Sequence, residues 1–205
     1  MPLQLRLAVE TDIDQLTDAF FSGFRKDAVV ARSFPEKPSV REFWNAGLQR
    51  DLQNPDSHVV AIIDTDLPGS PVIAYASWFA PSSQPPPDQP QPTPAMYPEE
   101  AEDHALAELF FNHLKERREV HMAGRKCWYL ALLVCHEDHQ RRGAGAMLMQ
   151  YGSDLANKMQ ADMYVEASPP GVPVYTRFGF KEVERLVVLD GTWTELMMLK
   201  EYQGV

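Results

Sequence analysis

Apolar positions in this chain recur in short periodic runs. "LQLRLAVE", from Leu3 to Glu10, alternates apolar and polar residues, the pattern of a half-buried strand. Thr11 or Asp12 then stands as an N-cap for "DIDQLTDAFFSGF", where Ile13, Leu16, Phe20, Phe21 and Phe24 recur at helical spacing. "PSVREFWNAGLQRDLQ" predicts a second amphipathic helix with Val40, Phe43, Trp44 and Leu48 on one side. "HVVAIID" and "PVIAYASWF" follow as strands, and the turn-forming "TDLPGS" between them predicts an antiparallel hairpin.

The pattern then breaks. Pro81 to Pro98 holds 8 of the 17 prolines, and proline lacks the amide that a helix interior or central strand must donate. A surface loop or polyproline stretch is expected there. It leads into "EEAEDHALAELFFNHLKERREV", a helix whose buried face is expected to carry Leu106, Leu109, Phe110 and Leu114. "CWYLALLV" is a continuous apolar run, as in a strand buried on both faces. A helix over "AMLMQYGSDLANKM", a strand over "MYVEAS", a short helix ending at Gly179 and two closing strands complete the chain. The order is β-α-α-β-β-(insert)-β-α-β-α-β-β, an α/β mixture with hairpins in its first half.

Composition narrows what such a chain does. Its 205 residues suit one domain, 1–205, with an insertion at about 81–125. A formal charge of -10 argues against nucleic acid, because phosphate contacts need a basic face. The same acidity suits a cationic substrate, and it also keeps many proteins soluble. No run approaches the ~18 apolar residues of a membrane span, and the N-terminus lacks a signal peptide's basic start and long apolar core, so a cytoplasmic address is expected. Cys127 and Cys135 lie in one apolar run and are expected as small core residues. His136 and His139 in "HEDH" are three apart in an expected loop, unlike the four-residue helical spacing of a zinc site, so no metal is expected.

The chemistry concentrates in "HQRRGAGAMLMQ", His139 to Gln150. A buried strand leads into a glycine turn that opens a helix. The first amides of that helix have no internal partners and sit at the positive end of its dipole, where phosphate is the natural guest. Arg141 and Arg142 add positive charge beside it. A nucleotide-hydrolysing P-loop needs a lysine after the glycines, and none is present. A dinucleotide fingerprint fits poorly. Gly143 and Gly145 supply its first two glycines and Glu166 its ribose-binding acid, but Leu148 stands where the third glycine belongs.

"QRRGAG", Gln140 to Gly145, matches the remaining pattern, Gln/Arg-x-x-Gly-x-Gly/Ala, at every specified position. Together with the strand before it, the helix after it and "YTRFGF" at 175–180, it resembles the acetyl-CoA-binding signature of the GCN5-related N-acetyltransferases, the GNAT superfamily. The resemblance covers Cys127 to Val188 well, the first eighty residues by element order, and the insertion not at all. It implies a GNAT-like fold, a mixed and mostly antiparallel sheet of about 6–7 strands flanked by helices. It implies acetyl-CoA as co-substrate. Its pantetheine arm would pair with backbone groups of Leu133 and Val134 between splayed strands, and its pyrophosphate would lie on amides of Gln140, Arg141, Arg142, Gly143, Ala144, Gly145 and Ala146. Amides from Leu133 to Cys135 would polarise the acetyl carbonyl. Ser168 would lie near the coenzyme, seven residues before Tyr175.

Acetyl transfer to an amine asks for a neutral nitrogen, a polarised carbonyl and a protonated leaving thiolate. By the resemblance, Tyr175 is the acid. The central strand offers no carboxylate, so Glu166, which shares a strand face with Tyr164 and Ser168, is the candidate base, directly or through water. The expected activity is acetyl transfer to a small-molecule primary amine, in a monomer or homodimer. A non-catalytic acyl-CoA sensor on the same fold, or a protein or peptide N-acetyltransferase, are the alternatives.

Overall fold

The computed structural model describes residues 2–81 and 103–204. Seven strands form one sheet in the order β1-β2-β3-β4-β5-β7-β6. They are β1 (Leu3–Leu7), β2 (Ser57–Asp64), β3 (Val72–Phe79), β4 (Cys127–Cys135), β5 (Asp162–Ala167), β6 (Lys181–Val188) and β7 (Trp193–Lys200). Every neighbouring pair is antiparallel except β4 and β5. That parallel pair is joined by the helix the sequence places between them, as a parallel crossover requires. The mixed, mostly antiparallel sheet expected from the resemblance is the observed one.

The helices are α1 (Ile13–Gly23), α2 (Ala28–Ser33), α3 (Pro38–Gln53), α4 (His104–Met122), α5 (Ala144–Met159) and α6 (Val172–Arg177). Strand alternation sorts them onto two faces. Val59, Ala61 and Tyr75 pack under α1 and α3, while Tyr164, Met197 and Leu199 pack under α4. Val60, Ile62, Trp78, Leu130, Met163 and Met198 face the other way, toward α5.

Four local expectations change. The six-residue α2 is absent from the periodic reading, being too short for a 3.6-residue pattern. Asp27 caps it, accepting from the Val29 and Val30 amides at 3.1 and 2.9 Å. Asp12 stands at the N-cap position of α1, but its side chain makes no cap hydrogen bond: its carboxylate accepts from Arg6 at 2.6 and 2.8 Å and from the Val9 amide. Leu109 is exposed rather than buried, because one residue turns a helix by a hundred degrees and Phe110 already faces inward. On α5 the deepest face carries Leu148, Met149, Gly152, Ser153 and Ala156, while Met147, Tyr151, Leu155 and Met159 flank it half-buried. Small residues therefore form the contact with the sheet, as expected, and the bulky stripe borders it. The proline run, 82–98, lies outside the described residues.

Candidate active site

Strands β4 and β5 pair only from Cys127↔Asp162 to Leu130↔Val165. Beyond Leu130, β4 continues against β3 alone, and Glu166 and Ala167 continue against β7 alone. The cause lies on β4. Register with β3 slips between Ser77 and Trp78, so Leu132 faces Ser77, Leu130 faces Trp78, and Ala131 is the extra residue of a bulge. The bulge reverses the alternation: Trp128 and Leu130 face α5, and past it Leu133 and Cys135 do. It also turns the strand away from β5. "CWYLALLV" is therefore buried on both faces only in its first part; Ala131 is exposed, and Leu132 and Leu133 are half-buried. The result is a wedge whose edges are unpaired backbone of β4 and β5.

The glycine turn stands at the mouth of that wedge. Arg141 and Gly143 adopt φ of 60° and 95°, the left-handed region, and an added Cβ on Gly143 would meet nothing within 4 Å. A side chain there would be strained rather than crowded, which is why glycine occupies it. The first helical bond of α5 is Met147 N to Gly143 O at 3.1 Å, so the amides of Ala144, Gly145 and Ala146 face outward without helical partners. Gly145 packs near Leu133, its Cβ position 3.8 Å from Cδ2, which joins the turn to the wedge. Gln140 Nε2 donates to the Cys135 carbonyl at 3.3 Å, tying the turn back to the strand end.

The arginines behave differently from each other. Arg141 is exposed and makes no ion pair among the described residues. Arg142 is paired: its Nη2 lies 2.6 Å from Oδ2 of the buried Asp64, and its Nη1 lies 3.1 Å from His139 Nδ1. It anchors the turn to the end of β2.

On the α4 side of the wedge, Glu166 sits in a buried polar cluster. Arg118 Nη1 donates to Tyr129 Oη at 2.6 Å and to Glu166 Oε1 at 3.3 Å, and its guanidinium carbon lies 4.3 Å from the Tyr129 ring centre. Burial pushes the Glu166 carboxyl above its ordinary range, opposed by the pull of Arg118 and of Tyr129 Oη. Tyr175 is buried on α6 against Phe180, ring centres 6.0 Å apart. Burial holds its hydroxyl firmly protonated, and the carboxyl groups of Glu195 and Glu166 nearby act in the same direction.

Of the residues singled out from sequence, the structure brings Leu133, Val134 and Cys135 to the splayed end of β4, and Gln140 to Ala146 to the turn beside it. Glu166 stands at the splayed end of β5, and Ser168 one residue past the strand, its carbonyl accepting from the Gly171 and Val172 amides. Cys127 is buried in the core, whereas Cys135 is half-buried at the wedge.

Four groups escaped the sequence reading. Arg118 lies in the stripe Phe110–Leu114–Arg118–Met122, a cation at four-residue spacing among buried apolar residues. Glu195 shares its strand face with Trp193, Met197 and Leu199, an acid among buried apolar neighbours. Both signals were visible as exceptions to a pattern. Tyr129 was hidden inside an apolar run, and nothing in the sequence marks Asp64 as the partner of Arg142.

Comparison with known proteins agrees with this geometry. A model of the acetyltransferase (GNAT) domain matches residues 102–201, the stretch holding the wedge, the turn and Tyr175. An acetyltransferase of Stachybotrys chartarum is 27% identical over 199 residues, covering 91% of this chain and 84% of that protein. Among solved structures, arylalkylamine N-acetyltransferase 2 from Aedes aegypti has the same fold, with a TM-score of 0.71, 12% identity and coverage of 99% of this chain and 100% of that one. So has the PaiA N-acetyltransferase from Thermoplasma acidophilum, solved in complex with coenzyme A, with a TM-score of 0.58, 12% identity and coverage of 98% and 100%. With splayed strands, a glycine turn that opens a helix, and a matching domain model over the same residues, residues 102–201 carry an acetyltransferase (GNAT) domain and the protein is an acyltransferase.

Proposed function

We propose that the protein transfers an acetyl group from acetyl-CoA directly to the primary amine of a small molecule. One observation carries the reading: an unpaired β4 edge runs straight into a turn with outward-facing amides. An extended arm ending in a pyrophosphate needs both, in that order. The residues present fit coenzyme A. Backbone of Leu133 and Val134 would hold the pantetheine arm, and amides from Gln140 to Ala146 the pyrophosphate. The coenzyme A complex of the Thermoplasma relative and the amine named for the Aedes enzyme support this choice of co-substrate and acceptor.

Acetyl-CoA, when bound, supplies an acetyl group activated as a thioester. The chain's own work is to orient it, polarise it and manage two protons. Among Leu133 to Cys135, the amide pointing to the edge away from β3 would aim a positive dipole at the carbonyl oxygen as its charge grows. Tyr175, kept protonated by burial and by its acidic neighbours, donates from Oη to the departing sulfur. Glu166 accepts the proton that the amine sheds, directly or through water. Its raised affinity for protons suits it to the task. Arg118 and Tyr129 hold that carboxylate in place.

The test is coenzyme binding followed by turnover. Acetyl-CoA at a hundredfold excess over its dissociation constant should stabilise the protein by about 2.7 kcal/mol, with much smaller shifts from NADH and ATP. Thiol release with a panel of amines should then follow. Equal stabilisation by NADH would refute the reading.

A further inference from the structure

Two carboxylates near the wedge have no cation of their own among the described residues. Glu195 is 6% exposed and follows the β5–β7 register one step past its end: Ala167 pairs with Leu196, so Glu195 stands beside Ser168. Met197, opposite Glu166, shares its strand face, so Glu195 and Glu166 lie diagonally on the same surface. Asp27, the N-cap of α2, is near enough for its charge to act on Glu195, and Val29 two residues on packs in the same cluster as Trp193 and Met197. Glu166 has Arg118, but Glu195 receives only the Trp193 indole, Nε1 to Oε2 at 3.1 Å, and Asp27 only two backbone amides. A second feature points to a missing partner. Tyr175 is 6% exposed, its hydroxyl makes no hydrogen bond with a described residue, and its charged neighbours are Glu195 and Glu166.

We propose that Glu195 and Asp27, beside the Tyr175 hydroxyl, are the receptor for the acceptor's ammonium group. This rests on the acetyltransferase reading above and narrows its acceptor to an organic ammonium that carries no carboxylate of its own. Buried carboxylates without a cation are costly, and an arriving ammonium is the group that relieves them. A zwitterion would bring a third negative charge to the same place and be rejected. The free protein manages the cost by holding a proton. Burial, with Asp27 and Glu166 adding to it against the Trp193 hydrogen bond, pushes the Glu195 carboxyl up to about 8. Burial likewise raises Asp27, against its two capping amides. The groups facing Glu195 are therefore Trp193 on its own strand, Glu166 on β5, Tyr175 on α6 and Asp27 at the N-cap of α2, two of them carboxylic acids and none cationic. Below about pH 8 the Glu195 carboxyl is mostly neutral, and a bound ammonium should displace its proton.

The experiment has two arms. In the first, the Glu195 carboxyl is titrated by carbon NMR in sodium chloride and in methylammonium chloride of equal ionic strength, with Glu195→Gln giving the assignment. Methylammonium should lower the apparent pKa of Glu195; an unmoved titration overturns the proposal. In the second, kcat/KM is measured for tryptamine against tryptophan and for 1,4-diaminobutane against ornithine. Glu195→Gln keeps an oxygen for the Trp193 indole, and Asp27→Asn keeps a good helix cap, so both variants should fold. Each should lose at least ~30-fold in kcat/KM for the amines, the usual consequence of removing one member of a desolvated charge pair, with acetyl-CoA affinity retained. Undiminished amine turnover in both variants, or acetylation of the amino acids as fast as of the amines, overturns the receptor. Failure of acetyl-CoA to bind the unaltered protein would instead overturn the acetyltransferase reading.

Discussion

Replacing Gly152 by Ala tests the contact that seats α5 beneath the wedge. A Cβ at this position would stand 2.3 Å from Cε2 and Cζ2 of Trp78 and 2.7 Å from Cη2. Trp78 is fully buried and pairs across the sheet with Leu130, the last residue of β4 still paired with β5. Its rigid ring has no solvent to retreat into, so either the helix or the strand must move. Overpacking of this kind typically costs about 1–3 kcal/mol. Against it stands the gain of about 1 kcal/mol that Ala brings over Gly inside any helix. Gly47, inside α3, isolates that gain, because its Cβ would meet nothing nearer than the Arg50 guanidinium at 3.7 Å. Gly47→Ala should therefore be more stable than the parent by about 1 kcal/mol, and Gly152→Ala should trail Gly47→Ala by about 1–3 kcal/mol. Urea unfolding of the three proteins measures the difference directly. In melting temperature it corresponds to about 2–4 °C per kcal/mol for a chain of this size. Acetyl-CoA should also bind Gly152→Ala more weakly than Gly47→Ala, since the displaced indole borders the bulge. Equal stability of the two alanine variants would show that the helix seats without the close approach, and the packing argument would fail.

Two further expectations concern the site. Tyr175→Phe keeps the ring against Phe180 and removes the acid, so the single-turnover rate should fall at least ~30-fold with acetyl-CoA affinity within roughly threefold; an undiminished single-turnover rate would show that Tyr175 only packs. Asp64→Asn and Arg142→Gln should raise the KM for acetyl-CoA in parallel, because the ion pair between them anchors the turn. A raised KM in Arg142→Gln alone would show that Arg142 contacts phosphate rather than holding the loop.

Much of this protein is legible in its sequence because the information is local. The apolar periodicities of α1, α3 and β1 to β3, the glycine turn and the helix it opens, and the placing of Tyr175 on a short helix all depend on neighbours within a few residues. Backbone conformation and hydrogen bonding at a helix start are set at that range. What the sequence withheld is set across the sheet. The bulge at Ala131 exists only relative to β3, and without it β4 would continue along β5 and there would be no wedge. The same register carries Glu195 to the end of β5, twenty-nine residues from Glu166 in sequence. Arg118 and Asp64 acquire their roles only from partners on other elements, Tyr129 with Glu166, and Arg142. Periodicity states which side of an element faces inward; which charges meet there is decided by the pairing of strands distant in sequence.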